Sequence, residues 1–147
     1  MPVVFSGAGQ PGRVARDKEG VMVNDHLSDL VARIRNGYMA DLPLIRAPYT
    51  RAVYGVVRVL VEEGYLARAE KKENAVEITL KYKGKKPAIL GIKRSSKPGA
   101  RIYTSLKDMP KVWGGLGINI LSTPKGIISS KQARKLNTGG EIVAQVW

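Results

Sequence analysis

The second half of the chain, from residue 87 onward, is divided into short apolar segments by glycine and proline. PAILGIKR, ARIYT, GINILST and EIVAQVW each have the length and composition of a strand, and SSKPG has the composition of a loop. Residues 108–112 are predicted to form one helical turn. Short strands broken by glycines predict a small β-rich subdomain.

One helix is predicted within this half, at the end of the segment LSTPKGIISSKQARKL. Ser129 is followed three residues later by Gln132, which matches the capping box. In that motif the serine accepts a hydrogen bond from the third helical N–H, and the glutamine side chain returns to the cap. The helix is therefore expected to begin after Ser129.

The first half of the chain has helical periodicity instead. In VNDHLSDLVARIRNG, Asn24 or Asp25 can cap a helix that Gly37 would end. An extended link through Leu44 and Ile45 follows. The apolar positions that define this first helix are Leu27, Leu30, Val31 and Ile34.

A second helix is predicted to open at Thr50 and to stop at Gly64, which suits a left-handed helix end. The segment AVEITLKY alternates apolar and polar residues as a half-buried strand does, and Lys83 and Gly84 would turn it. The apolar face of the second helix consists of Val53, Val56, Val57, Leu60 and Val61.

These patterns predict an α+β fold of two small subdomains. The N-terminal part has the order helix, strand, helix, sheet, and the C-terminal part is β-rich with one short helix. The expected boundaries are a flexible N-terminal extension at residues 1–21, an α/β subdomain at 22–82 and a β-rich subdomain at 83–147. The extension is rich in glycine and proline and shows no period.

The net charge of +13 is concentrated in the second half of the chain. Residues 1–77 carry 11 basic and 10 acidic side chains, whereas residues 78–147 carry 14 basic side chains and two acidic ones, Asp108 and Glu141. The two parts therefore have net charges of +1 and +12. A polyanion such as nucleic acid is the expected partner, and it should bind the second half.

The residue inventory argues against several other functions. The chain has no cysteine and a single histidine, His26, so neither a thiolate metal site nor an imidazole cluster is expected. The segment GLGIN lacks the third glycine of a dinucleotide fingerprint. No apolar run approaches the roughly 18 to 20 residues of a membrane span. No enzyme activity, cofactor, membrane contact or small-molecule substrate is expected.

The segment STPKG is the first candidate contact with nucleic acid. Ser122 and Thr123 end a predicted strand, so their hydroxyls can project from a rigid edge toward 2′-hydroxyls, phosphates and base edges of a folded RNA. Lys125 would supply positive charge, and Gly126 would permit close backbone approach. An ordinary tight turn with a solvated lysine is the alternative interpretation.

The loop KRSSKPGARIY is the second candidate. It combines cations that can contact phosphates with Tyr103, which could stack on a base. The alternative is a basic hairpin whose tyrosine belongs to the core. The cations of this loop are Lys93, Arg94, Lys97 and Arg101.

Several long motifs in one order resemble protein eight of the small ribosomal subunit, in its bacterial-type form. They are NDHLSDLVARIRNG, VLVEEGYL, SSKPGARIY, MPKVWGGLGINILSTPKGIISSKQARKL and GGEIVAQVW. The resemblance covers residues 22–147. It implies a two-part protein without catalytic activity that binds the central domain of small-subunit rRNA early in assembly, beside neighbouring ribosomal proteins that include protein five of that subunit.

The resemblance also implies which residues contact RNA. The C-terminal contacts would be Tyr103, Ser122, Thr123, Lys125 and Gly126, joined by Lys97 and Arg101, with Glu141 as an organiser. The N-terminal contacts would be Arg33, Arg35 and Asn36. Many members of the family have a third hydroxyl where this chain has Pro124.

Two questions stay open at this stage. A winged-helix DNA-binding protein is an alternative, with residues 50–63 as the recognition helix, although that helix offers only Arg51 and Arg58 as cations. A purely protein-binding adaptor is another alternative. The wording TPKG resembles one branch of bacteria and the mitochondria derived from it, and the N-terminal arm slightly favours the mitochondrial matrix over the bacterial cytoplasm as the location of the ribosome.

Overall fold

The computed structural model describes residues 20–96 and 99–147. The helices in this part of the chain are α1 (Gly20–Met39), α2 (Arg51–Glu62) and α3 (Ser130–Leu136). The strands are β1 (Leu44–Pro48), β2 (Leu66–Lys72), β3 (Ala75–Leu80), β4 (Tyr82–Lys83), β5 (Lys86–Pro87), β6 (Ile92–Arg94), β7 (Tyr103–Thr104), β8 (Ile118–Thr123), β9 (Gly126–Ser129) and β10 (Gly140–Val146). The predicted α+β class is confirmed. The predicted extension falls largely on residues 1–19, which lie outside the described residues.

The N-terminal part contains an antiparallel sheet in the order β1-β3-β2. Its central strand, β3, alternates buried and half-buried residues, as the alternating sequence predicted. Helix α2 begins and ends where expected: Thr50 accepts a hydrogen bond from the N–H of Val53, and Gly64 has a φ of +86°. Two of the sequence signals in this region, the cap and the glycine stop, therefore act locally as proposed.

Helix α1 is longer than the sequence predicted. It begins at Gly20, so neither Asn24 nor Asp25 opens it, and it passes through Gly37 to end at Met39. Gly37 is required for packing rather than for termination. A Cβ at this position would lie 2.7 Å from Cγ2 of Ile45 in β1, which is closer than real Cβ atoms approach a neighbour.

The C-terminal sheet is antiparallel, in the order β6-β10-β8-β9. Strands β6 and β7 pair with opposite ends of β10, on the edge that does not pair with β8. Its strands in PAILGIKR and ARIYT are shorter than predicted. The N–H groups of Leu90 and Gly91 both donate to the carbonyl of Trp147, so the chain crosses the end of β10 before β6 begins. Near β7, the buried Ser96 hydroxyl accepts from the N–H of Ile102, which diverts that N–H from a strand ladder.

The helical turn predicted at residues 108–112 is wrong. The chain is extended at Val112, and a single 3-10 turn forms instead at Trp113–Gly115. All three residues of that turn have a positive φ, of 49°, 64° and 95°. Two glycines make this conformation accessible, and the N–H groups of Gly115 and Gly117 both donate to the carbonyl of Val112.

Helix α3 is capped as predicted. The Ser129 hydroxyl accepts from the N–H of Gln132 at 3.1 Å, and Asn137, with a φ of 54°, ends the helix in the left-handed conformation. The return bond from the Gln132 side chain is not formed within the described residues. The Ser129 hydroxyl instead donates to Glu63 at the end of α2, at 3.1 Å.

One large hydrophobic cluster includes residues of both parts of the chain. A smaller cluster lies on the other face of the C-terminal sheet, where α3 packs, and consists of Met109, Leu121, Ala133 and Ile142. Strand β8 is therefore buried on both faces, with Ile120 in the large cluster and Leu121 in the small one. The two sheets are joined through packing rather than through a loose linker.

Candidate nucleic-acid interface

The hydroxyl hairpin, residues 122–126, is the turn that joins β8 to β9. Thr123 pairs with Gly126 across the turn, and Gly126 has a φ of +109°. The Thr123 hydroxyl accepts from the N–H of Lys125 at 3.1 Å and donates to the carbonyl of Gly126 at 2.9 Å. Thr123 therefore holds the turn in shape, and its hydroxyl is already engaged.

Ser122 lies in a row that crosses three neighbouring strands. It pairs with Glu141 of β10, and Glu141 pairs in turn with Tyr103 of β7. Directly opposed residues of antiparallel strands project from the same face of a sheet, so these three side chains share one face. Within the described residues the Ser122 hydroxyl makes no hydrogen bond, and it is only half-buried. It is free to bind an outside partner.

Glu141 occupies the middle of this row, and its side chain is only 15% exposed. Arg101 donates to it from Nη1 at 2.9 Å, which neutralises a carboxylate that would otherwise repel RNA. Arg101 is therefore committed to an internal ion pair in this structure. The pair links the loop before β7 to the centre of the row.

Tyr103 is 71% exposed, so the alternative that placed its ring in the core is wrong. The exposed ring and the free hydroxyl lie two strand spacings apart, about 10 Å, on the same face of the sheet, so together they offer an apolar surface and a hydrogen-bonding group to one ligand. Lys93 on β6 is also exposed, whereas Lys97 lies outside the described residues.

Lys125 projects from the tip of the hydroxyl hairpin toward the end of α3. Its Nζ donates to the carbonyl of Leu136 at 3.4 Å, where the negative end of the helix dipole favours a cation. Arg134 and Lys135, in the last turn of α3, are exposed nearby in the chain. The sequence reasoning did not select these two cations, although their position in a basic helix that follows the hairpin was a usable signal.

The other predicted cations make structural contacts. Arg94 is half-buried, and its Nη1 donates to the Ser28 hydroxyl of α1 at 2.8 Å. Arg33 forms an ion pair with Asp29 at 2.8 Å. Arg35 donates to the carbonyl of Ile92, which ties α1 to β6.

The N-terminal trio of Arg33, Arg35 and Asn36 thus lies on α1, and its arginines bind neighbouring elements. Asn36 is exposed. No recorded contact joins these three residues to the hydroxyl hairpin in the described chain. The structure therefore brings together the row of Tyr103, Glu141 and Ser122, Arg101 and the hydroxyl hairpin, and it leaves the N-terminal candidates apart.

Two features that would point to other functions are absent from residues 20–96 and 99–147. No helix there is long and apolar enough to cross a membrane. No group of three or more histidine, aspartate or glutamate side chains in the same residues could hold a metal ion.

Comparison with known proteins gives a consistent result. The family model of ribosomal protein S8 matches residues 25–147. The small ribosomal subunit protein uS8 of Dictyoglomus thermophilum is 43% identical over 129 residues, which is 85% of this chain and 98% of the relative. That of Nostoc punctiforme is 43% identical over 130 residues, 84% and 98% of the two chains. Protein uS8c of Gracilaria tenuistipitata is 42% identical over 132 residues, 86% and 100%.

The matched proteins are constituents of the small ribosomal subunit, a class that suits a small, basic α+β chain. This chain belongs to the ribosomal protein S8 family, in its bacterial type. The resemblance noted from the sequence motifs is thereby confirmed. The winged-helix alternative gains no support, and the buried face of α2 packs against β2 and β9.

Proposed function

We propose that this protein binds the central domain of small-subunit rRNA and, in doing so, supports assembly of the subunit. The row of Tyr103, Glu141 and Ser122 beside the hydroxyl hairpin carries the proposal. It presents an exposed ring and a free hydroxyl in the half of the chain whose net charge is +12. No catalytic step is part of this function.

The mechanism has two components. The basic half attracts RNA through long-range electrostatics, which accelerates encounter and weakens with salt. The rigid hairpin then reads the shape of an irregular helix, because 2′-hydroxyls and base edges are displayed in the wide minor groove of RNA. Thr123 keeps the hairpin in one conformation, and Ser122 supplies the hydroxyl that contacts RNA.

The test is a titration of the purified protein against a central-domain rRNA fragment, a scrambled RNA of equal length and a duplex DNA, each at two salt concentrations. We expect tight binding to the fragment that persists at the higher salt while binding to the other two is lost. Equal, salt-sensitive binding to all three would contradict the proposal, since charge alone would then account for the affinity.

Two variants separate the two components. Lys125→Ala should weaken binding and reduce the salt slope, which is the slope of log K against log salt concentration, by about one, as loss of a single phosphate contact does. Ser122→Ala should cost about 1 kcal/mol of binding free energy with little change in slope, because a neutral hydrogen bond is lost. The hydroxyl would have no role in recognition if both variants altered only the slope.

We also infer neighbours and a location within this framework. Contact with protein five of the small subunit is proposed from the family resemblance and can be tested by cross-linking in assembled subunits. A mitochondrial ribosome is proposed from the N-terminal arm, since the family match begins only at residue 25. Recovery of a tagged chain only in the cytosolic fraction of its source cells would contradict that location.

A further inference from the structure

A pair of stacked tryptophans stands at the end of the C-terminal sheet that is remote from the hydroxyl hairpin. The rings of Trp113 and Trp147 have centroids 5.9 Å apart and planes 17° from parallel. Trp147 is held in place from behind, because a Cβ on Gly91 would lie 2.3 Å from its ring. Trp113 is 61% exposed, so this ring is the outer member of the stack.

The backbone at Trp113 is unusual and fixes this arrangement. Its φ of +49° is uncommon for a bulky residue, because the left-handed region crowds the Cβ. The N–H of Leu116 donates to the carbonyl of Trp113 at 3.1 Å, and the Tyr65 hydroxyl donates to the carbonyl of Leu116 at 3.4 Å. A strained backbone that presents a large ring to solvent is the kind of feature that marks a binding surface.

The surroundings of the pair in the chain are strongly basic. Lys111 stands two residues before Trp113 and is exposed. The β4–β5 hairpin precedes Leu90, which lies beside Trp147, and its lysines at positions 83, 85 and 86 are all exposed. Asp108, three residues before Lys111, is the single acidic residue between residues 78 and 140, a stretch that contains 14 lysines and arginines. This positive charge favours an anionic ligand over a protein surface that carries no acidic side chains.

We propose that Trp113 is a stacking platform for an unpaired RNA base, with Lys111 neutralising a phosphate of the same strand. Aromatic rings interleaved with cations are the usual means of holding single-stranded RNA, because every base has a face that can stack. The platform lies about six strand residues, roughly 20 Å, from the hydroxyl hairpin. It is a second RNA contact, separate from the one in the proposed function, so an experiment can exclude either contact without excluding the other.

The probe is a fluorescein-labelled adenosine RNA hexamer, followed by anisotropy, together with the emission of the two tryptophans of the full chain. We expect the hexamer to quench emission on binding. Trp113→Leu should weaken binding about tenfold or more and remove most of the quenching, since stacking of one base is lost. Trp113→Phe should retain most of the affinity, and far-UV circular dichroism should show all variants folded.

Three further variants provide the controls. Leu116→Ala removes an equally apolar, 84% exposed side chain beside the platform and should leave hexamer binding within about twofold of the parent. Ser122→Ala should not affect the hexamer, although it weakens binding of the rRNA fragment. Lys111→Ala should lower the salt slope by about 0.7, as loss of one single-strand phosphate contact does.

Three results would overturn the proposal. The first is hexamer binding by Trp113→Leu that equals the parent. The second is an equal loss in Leu116→Ala and Trp113→Leu, which would indicate an apolar docking surface for a protein. The third is hexamer binding without quenching, which would mean that the RNA binds elsewhere on the basic half.

Discussion

Ser122 and Thr123 are adjacent hydroxyl residues whose contacts differ. The Thr123 hydroxyl bonds to two backbone groups of its own turn, whereas the Ser122 hydroxyl has no partner in the described chain. Thr123→Val should therefore lower the free energy of unfolding by about 1 kcal/mol, because two turn hydrogen bonds are lost at constant side-chain shape. Ser122→Ala is the matched control and should leave urea unfolding unchanged. Equal losses in the two variants would contradict this division of roles.

Tyr38 illustrates how a buried side chain sets the response to alkaline pH. Burial raises the pKa of Tyr38 above its ordinary value of 10.0, and the hydroxyl donates to the carbonyl of Lys81 at 3.0 Å. Above a pH of about 10 the unfolded chain loses this proton before the folded chain does, so stability falls as pH rises.

Tyr38→Phe should consequently lower the unfolding free energy by about 1 kcal/mol or more at pH 7, because the hydroxyl loses both its hydrogen bond to the carbonyl of Lys81 and the one it accepts from the N–H of Lys81. The variant should then lose less stability than the parent when urea unfolding is repeated above pH 10. The exposed Tyr103→Phe serves as the control at pH 7, where no change is expected. If the unfolding free energies of the parent and of Tyr38→Phe fell equally with pH above about 10, Tyr38 would not contribute to the loss of stability at alkaline pH.

At the scale of single elements, sequence signals succeeded where their cause was local. Thr50 caps α2 and Ser129 caps α3 through bonds to residues three positions away, so both could be inferred from spacing alone. Gly37 failed as a helix end because its role depends on the distant side chain of Ile45. The turn at residues 108–112 failed because Val112 is drawn into the core in an extended conformation.

The candidate site follows the same rule. The residue types of the hydroxyl hairpin were visible in the sequence, but the row of Tyr103, Glu141 and Ser122 was not, since it depends on the register of three strands distant in sequence. Likewise, the hydrogen bond from Arg33 to the carbonyl of Arg46 in β1 and the ion pair of Arg101 with Glu141 depend on which elements become neighbours. Composition located the basic half, and only tertiary structure separated its free side chains from its engaged ones.

The junction between α2 and α3 carries a prediction of its own. The Ser129 hydroxyl caps α3 and also donates to Glu63, whose other oxygen lies 3.6 Å from Nζ of Lys131. Ser129→Ala should lower the unfolding free energy by about 1 to 2 kcal/mol, because it removes a cap and leaves a half-buried carboxylate with one partner fewer.

A double-mutant cycle of Ser129→Ala with Glu63→Ala measures this link by urea unfolding. We expect an interaction energy of about 0.5 kcal/mol or more, since the two side chains are in contact. The pair Arg58→Ala with Glu62→Ala, an exposed ion pair on the same helix, is the matched control and should give a smaller value. Strict additivity of Ser129 and Glu63 would mean that the cap acts without the carboxylate.

For the whole molecule, the shared hydrophobic cluster predicts that the two parts unfold together. Ile118, Ile120 and Val146 of the C-terminal sheet belong to the same buried cluster as the residues of α1 and α2. Separation of the two parts would expose that apolar face to water, at a free-energy cost of about 25 cal/mol for each Å² exposed. This cost strongly favours one cooperative transition.

Two optical signals report on the two parts separately. Both tryptophans, Trp113 and Trp147, lie in residues 83–147, whereas α1 and α2 provide most of the helical circular dichroism. Urea unfolding followed by tryptophan fluorescence and by far-UV circular dichroism should give the same midpoint and the same slope. A fragment of residues 83–147 should show no cooperative transition, because the helices that cover its sheet are missing. Separate midpoints in the full chain, together with cooperative unfolding of the fragment, would instead establish two independent subdomains, each stable without the shared cluster.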